Sequence, residues 1–376
     1  MRIGVDAQVL LERSAGTTYY AGGLLREVLK QDRKNHYDLF LWRLFPKKLA
    51  DVFGRERNFS YCYQRFFPYK VFYKLHKWGI DVPLEFFFGR HDLYFFPNFV
   101  VYPHRAGKSV VVVYDLSFEK VPQFVDRRNV EFLKKFVPAS VRKCDHVVAI
   151  SEATKRDVIE TYGVSPEKIT VIYPGVDPAQ FNPRSAAEVA EVKKKYGIKK
   201  PYLLYLGTLE LRKNIPAILE AYADLKRRRE FNLVLAGKTG WLSEEIFGTV
   251  KKLKLEEDVI FTGYVPADER PKLLSGAEVF VYPSFFEGFG MPVVEAQACG
   301  TPVIASNSTS LPEAVGEAGI LVPPDDTAAL GSAFEKVLFV PALQKDLAKR
   351  GLNHARQFGW ERSGRDLLKI FNRLNG

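Results

Sequence analysis

What most constrains this chain is a rhythm that occurs twice. Short β-branched and aromatic runs alternate with amphipathic stretches, and the series breaks once, at Tyr173-Pro174-Gly175-Val176-Asp177. An apolar run of about four to eight residues suits a strand buried on both faces, and parallel strands need a helical crossover between them. The first series places strands at Arg2–Asp6, Tyr37–Trp42, Asp92–Phe96, Ser109–Tyr114, His146–Ile150 and Ile169–Ile172, with helices near Arg127–Arg142 and after the N-cap Ser151. The second places them at Tyr202–Leu206, Leu233–Ala236, Val259–Phe261, Val279–Tyr282, Pro302–Ala305 and Ile320–Val322. The expected fold is α/β, with two Rossmann-like doubly wound domains facing a crevice. The boundaries read as a domain over 1–173, a linker over 174–200, a domain over 201–358, and a C-terminal helix over 359–376 that packs back on the first domain.

Three cysteines, Cys62, Cys144 and Cys299, are far apart and lack Cys-x-x-Cys spacing, so neither a disulfide framework nor a zinc knuckle is indicated. Met1 runs straight into the first strand, and no apolar run has the length of a transmembrane helix. A cytoplasmic protein is expected. The net charge of +11 is concentrated in the first half, where residues 1–175 hold 28 Lys/Arg against 19 Asp/Glu. Residues 41–90 add 15 aromatics to 10 Lys/Arg and 4 Asp/Glu, as in Tyr61-Cys62-Tyr63-Gln64-Arg65-Phe66-Phe67-Pro68-Tyr69-Lys70. Basic groups attract anionic head groups and aromatic rings seat at the apolar boundary, so this segment reads either as a peripheral contact with the inner face of the membrane or as a domain core with a charged face. No recognition motif supports nucleic acid as a partner.

Ligands of doubly wound sheets bind beyond the carboxyl ends of strands. After Tyr202–Leu206 comes Gly207-Thr208-Leu209-Glu210-Leu211-Arg212-Lys213-Asn214. A glycine for close backbone approach and two fixed positive charges before a helix suit a diphosphate, although a solvated basic turn would read the same way. After Val279–Tyr282 comes Ser284-Phe285-Phe286-Glu287-Gly288-Phe289-Gly290-Met291-Pro292-Val293-Val294-Glu295. Here a loop carboxylate can accept from sugar hydroxyls, backbone N–H groups freed by glycine can meet phosphate, and a carboxylate in the following helix can hold a ribose diol. Glu287 is expected to have little packing role.

These motifs closely resemble the family 4 glycosyltransferases, retaining enzymes of the GT-B fold, and among them the mannosyltransferases of cell-surface polysaccharides. The resemblance is strongest from Val171 to Glu313. It implies an N-terminal acceptor-binding domain and a C-terminal nucleotide-sugar domain. Glu287 would contact the donor sugar, Gly288, Phe289, Gly290 and Met291 the sugar or phosphate, and Glu295 the ribose. Arg212 and Lys213 match the diphosphate-binding pair beside Gly207, and Gly263-Tyr264-Val265-Pro266 matches a loop near the base, with Val265 as the contact. Relatives have a glycine-rich turn after the first strand; here it reads Ser14-Ala15-Gly16-Thr17-Thr18-Tyr19-Tyr20-Ala21-Gly22-Gly23 with altered spacing, which makes Gly16 the candidate donor contact. Tyr114-Asp115-Leu116-Ser117-Phe118 matches a His-Asp-Leu-Ser-Phe pattern with tyrosine for histidine. Asp115 would contact donor or acceptor. Tyr114 would either read the donor's C6 group or fill the core at the strand end.

The resemblance therefore implies transfer of a sugar, GDP-mannose being the expected donor, to a saccharide or lipid-linked acceptor. Ala236-Gly237-Lys238-Thr239 and Ala106-Gly107-Lys108-Ser109 end like a P-loop but have Asn232 and Tyr102 where its first glycine belongs. No Asp-x-Asp pair occurs, so a bridging metal is not expected and Arg212 and Lys213 take over its neutralising role. A phosphorylase on this scaffold would need a lysine for pyridoxal phosphate; none is identifiable, and no cofactor is expected. A nucleotide-sugar epimerase or a non-catalytic sugar-nucleotide-binding protein are the alternatives that fold alone leaves open.

Overall fold

Nearly every apolar run read from the sequence becomes a buried parallel strand, within one or two residues of its expected bounds. The computed structural model describes residues 1–11, 16–42, 53, 56, 58–240 and 243–376. One unit comprises Met1–Gly175 with Gly359–Gly376, and the other comprises Val176–Phe358.

In the first unit β1 (Arg2–Asp6), β2 (His36–Trp42), β3 (Phe59–Gln64), β4 (Leu93–Phe96), β5 (Lys108–Val113), β6 (His146–Ala149) and β7 (Ile169–Val171) form a sheet in the order β3-β2-β1-β4-β5-β6-β7. In the second, β8 (Tyr202–Leu206), β9 (Asn232–Ala236), β10 (Val259–Gly263), β11 (Val279–Tyr282), β12 (Val303–Ser306) and β13 (Gly319–Val322) stand in the order β10-β9-β8-β11-β12-β13. All these pairings are parallel. Each sheet reverses direction beside its first strand, between β1 and β4 and between β8 and β11, and such reversals open the crevice where doubly wound folds bind ligands.

The sequence reading missed β3. It lies at a sheet edge, only partly covered, so its residues lack the unbroken apolar run that marks a buried parallel strand. Much of the aromatic content of 41–90 is core: Trp42 and Phe72 are buried, and Phe67, Tyr69, Phe87 and Phe88 pack against the same cluster. Residues 43–52, 54, 55 and 57 of that segment lie outside the described residues.

The stretch 174–200 differs from the expected linker. From Val176 onward it belongs to the second unit and carries the helix Ala186–Lys195, opened by a Ser185/Glu188 capping box. Lys195 and Tyr196 both bind Glu269, tying it down. The helix Trp360–Asn375 lies in the first unit, where Gly23 and Gly175 leave room for the Trp360 ring; a Cβ at either would approach that residue within 2.6 Å. Among the described residues no helix is long and apolar enough to cross a membrane.

Candidate functional site

The turn after β8 is shaped by its neighbours. Gly237, at the end of β9, has φ +151°, and a Cβ there would lie 1.7 Å from the Gly207 carbonyl, so only bare backbone fits between the two strand ends. The chain then makes one tight helical turn, Leu211–Lys213, and stops at Asn214 in the left-handed region, φ +56°. Asn214 holds that conformation by donating its side-chain amide to the Pro283 and Pro324 carbonyls. Arg212 and Lys213 are thereby directed at the loop that follows β11. The Phe285 N–H donates to the Arg212 carbonyl at 3.0 Å, and the Arg212 guanidinium donates to the Phe286 carbonyl.

Glu287 closes the cluster. Lys213 Nζ is 2.6 Å from Glu287 Oε1 and 2.9 Å from the Tyr282 hydroxyl, while Arg212 lies 3.5 Å from Glu287 Oε2 and 2.7 Å from Glu210. Lys213 and Glu287 are both buried. Burial pushes the Glu287 carboxyl up, but the Lys213 and Arg212 charges outweigh it and hold the group below the usual carboxylate value. Burial and the neighbouring Arg212 lower Lys213, with Glu287 opposing them. Glu287 is therefore an anchor as well as a candidate ligand group, which corrects the expectation of a carboxylate with little packing role. Two cations and two carboxylates balance, so a diphosphate arriving here would compete with Glu210 and Glu287 for charges that are already fixed in place.

Beyond Glu287 the loop passes Gly288 and Phe289, the latter buried against Phe358, to Gly290 at φ +99°, which starts the helix Met291–Ala298. One turn into that helix Glu295 is buried, and burial raises its carboxyl to about 7 despite the Arg270 charge. Arg270 also donates to the Val265 carbonyl at 3.4 Å, in the candidate base loop. The sign of the resulting pH effects is fixed. Because the folded value lies above the unfolded one, the stabilisation from the protonated carboxyl is complete below about pH 4.5 and disappears as pH rises through 7. A ribose diol donates to a carboxylate, so nucleoside diphosphate affinity should strengthen about tenfold between pH 6 and pH 8. Calorimetric titration at those pH values checks this. Glu295→Gln should flatten the profile, and an unchanged slope in that variant would assign it to the phosphate instead.

Residues 188–354 match the family described as Glycosyl transferases group 1, and residues 51–180 the one described as Glycosyltransferase Family 4. The O-antigen chain mannosyltransferase B of Escherichia coli is 33% identical over 285 residues, covering 75% of this chain and 74% of the relative. The chain belongs to the family 4 glycosyltransferases. The serotype-specific mannosyltransferase WbdA of Escherichia coli is 30% identical over 300 residues, a match covering 77% of this glycosyltransferase and 36% of that longer protein. The solved sucrose-phosphate synthase from Thermosynechococcus elongatus shares the fold, with a TM-score of 0.75 at 21% identity, covering 99% of this chain and 98% of that one.

The other candidate residues lie in the first unit of the glycosyltransferase. Tyr114 is 5% exposed; its hydroxyl donates to the Pro97 carbonyl at 2.7 Å and the Thr17 carbonyl at 3.1 Å, clamping the start of the helix Gly16–Gln31. The expectation that it reads the donor's C6 group gives way to the core-filling alternative. Tyr114→Phe should cost about 1–3 kcal/mol, measured by denaturant unfolding, by leaving the buried Pro97 carbonyl and the part-buried Thr17 carbonyl without their shared donor. It should leave the preference between 6-hydroxy and 6-deoxy donors unchanged. Asp115 accepts from the Ser117 N–H at 2.8 Å, fixing the turn of Ser117–Lys120. Gly16 opens its helix with nothing within 4 Å of an added Cβ, and Gly22 and Gly23 are buried inside that helix, where Gly23 makes room for Trp360. Ser14 and Ala15 lie outside the described residues.

Sequence reasoning missed the run Ser306-Asn307-Ser308-Thr309-Ser310. Ser306 and Ser308 donate to the Ser284 carbonyl, Thr309 accepts from the Glu287 N–H at 3.0 Å, and Ser310 donates to the Glu287 carbonyl at 2.9 Å. These hydroxyls hold the Glu287 loop from the end of β12. Four hydroxyls just beyond an apolar strand were the available signal.

Proposed function

We propose that this glycosyltransferase moves mannose from GDP-mannose to a hydroxyl of a saccharide or lipid-linked acceptor, with retention of anomeric configuration and without a metal. The observation that carries the reading is the cluster of Arg212, Lys213 and Glu287 where the second sheet reverses. In this reading the second unit binds the nucleotide sugar and the first, residues 1–173, the acceptor. The diphosphate draws Arg212 and Lys213 away from their carboxylates, and Glu287 is freed to accept a hydrogen bond from a sugar hydroxyl. As the anomeric C–O bond breaks, negative charge grows on the diphosphate, and the two fixed cations stabilise it more in the transition state than in the ground state. The N–H groups at the start of Met291–Ala298 add to that stabilisation. The acceptor oxygen bonds the anomeric carbon on the face the phosphate leaves, and its proton passes to the departing phosphate. Glu295 holds the ribose. The names of the two Escherichia coli relatives support mannose as the sugar and polysaccharide assembly as the setting.

Incubation with GDP-, UDP-, ADP- and dTDP-sugars and a mannoside acceptor, with and without chelator, tests this. An α-linked product from GDP-α-mannose that forms in chelator is expected. Preference for another donor sinks the mannose assignment, a β-linked product sinks retention, and loss of activity in chelator sinks metal independence.

The lipid-linked acceptor is supported by Phe66, Trp78 and Phe86, which are 96%, 70% and 79% exposed around the helix Tyr69–Lys77 with its exposed Lys70, Lys74 and Lys77. Rings of this kind seat in the head-group layer while the lysines meet anionic lipid. The protein should sediment with anionic vesicles at low salt and be released as salt rises. Replacing the three rings by serine should abolish sedimentation without reducing transfer to a soluble acceptor.

A further inference from the structure

The helix Glu244–Lys252, which follows β9, buries Ile246 and Val250 and leaves its opposite side open. With about 3.6 residues per turn, that open side carries Glu244, Glu245, Phe247, Gly248, Lys251 and Lys252, with Gly248 near its centre. The charges are ordered about that glycine. Glu244 and Glu245 stand four and three residues before it, and Lys252 and Lys251 four and three residues after it. Charges on one helix pair at spacings of three or four residues, whereas these acids and bases are about 9–12 Å apart along the axis. Among the described residues none of the four forms an ion pair. Acids in the first turn and bases in the last also suit the dipole of the helix itself, but the dipole gives no reason for Gly248. Glycine in a helix interior costs about 0.5–1 kcal/mol relative to alanine. A Cβ at Gly248 would meet nothing within 4 Å, so no group of this chain excludes a side chain there. Beside it Phe247 is 38% exposed and lies against Phe261 of β10, the outermost strand, with ring centres 5.0 Å apart.

From this order of charges we infer that the helix Glu244–Lys252 is a docking face for a second copy of this chain, the two helices crossing antiparallel at Gly248 about a twofold axis. In a twofold contact one patch meets itself, so that if one residue faces another, the second faces the first in return. The order of acids, glycine and bases meets that demand. Glu244 falls opposite Lys252 of the second copy and Glu245 opposite Lys251, and each pair occurs twice. A parallel crossing would set acid against acid and base against base, and a partner of one charge sign would be repelled by half of the face. The missing Cβ lets the two backbones approach at the crossing, and the Phe247 rings add apolar area at its rim. The contact is small and its ion pairs are exposed, so the dimer is weak, with a dissociation constant of about 10–100 µM, and salt loosens it.

Sedimentation velocity of the full chain over a concentration series tests the inference. Wild type should pass from monomer to dimer within about 10–100 µM and return toward monomer at about 0.5 M salt. The double variant Glu244→Lys/Glu245→Lys should be monomeric by itself, and so should Lys251→Glu/Lys252→Glu, because each then opposes like charges. An equimolar mixture of the two should dimerise at least as tightly as wild type, since every acid again meets a base. Gly248→Leu raises helix propensity and so keeps the fold, yet it should weaken association at least about tenfold by holding the helices apart. Wild type that stays monomeric at about 200 µM overturns the inference. Dimers in either charge variant alone place the interface elsewhere, a mixture that stays monomeric rules out the antiparallel pairing, and a Gly248→Leu dimer as tight as wild type removes the crossing point. None of these residues belongs to the donor cluster, so the inference stands or falls apart from the donor reading.

Discussion

Replacing Glu287 by alanine should abolish sugar transfer and lower the melting temperature by about 10 °C. The second effect follows from burial. Glu287 is 8% exposed and offsets the charge of Lys213 at 2.6 Å and of Arg212 at 3.5 Å. Removing one partner of a buried pair leaves the other charge without compensation, a cost of about 3–5 kcal/mol, and each kcal/mol shifts a unit of this size by about 2–4 °C. Lys213, already lowered by burial, would release its proton more readily and limit the loss. A nucleoside diphosphate supplies the missing negative charge, so saturating GDP should raise the melting temperature of Glu287→Ala more than that of wild type. Scanning calorimetry with and without GDP measures both. A midpoint within about 1 °C of wild type would show that Glu287 does not anchor the cations. Transfer above about a tenth of the wild-type rate, a barrier change under roughly 1.4 kcal/mol, would remove it from the chemistry.

The dual role of Glu287 marks the limit of what the sequence discloses. Two glutamates with seven residues between them after one strand, and Arg212-Lys213 after another, were legible because strand ends in doubly wound sheets are where ligands bind. That β8 and β11 are hydrogen-bonded neighbours on either side of a reversal is a property of strand order, which local patterning does not encode. Without it nothing fixes whether Lys213 meets solvent, phosphate or Glu287. Gly23 is a related case. Glycine reports only that a side chain is excluded, and at Gly23 the excluding group is Trp360, far along the chain. Tyr114 could be read as pocket or core because both demand a large ring at a strand end; the carbonyls of Thr17 and Pro97 decide it. The Ser185/Glu188 box, in contrast, was visible in the sequence and would have placed a helix inside the expected linker had the segment been read for caps.

Lys213→Met should lower kcat by about a hundred- to a thousandfold while weakening GDP binding far less, because its charge counts most when the diphosphate leaves. Methionine keeps much of the length and packing of lysine and drops the charge. Glu287 is then left with Arg212 alone at 3.5 Å, and burial, no longer outweighed by Lys213, pushes its carboxyl upward. The single variant should therefore lose stability, most strongly at high pH where the carboxylate is forced to ionise. Adding Glu287→Gln removes that remaining charge and leaves two neutral groups of similar volume. Replacing both members of a buried ion pair is often neutral or stabilising, so the double variant should unfold at higher denaturant than either single variant. It should remain as inactive as Lys213→Met, since Arg212 alone then meets the charge on the leaving group. Denaturant melts and single-turnover rates on the four proteins of this cycle separate the two roles. Additive losses of stability would mean that the residues do not act as a pair, and recovery of turnover in the double variant would mean that Lys213 serves only to neutralise Glu287.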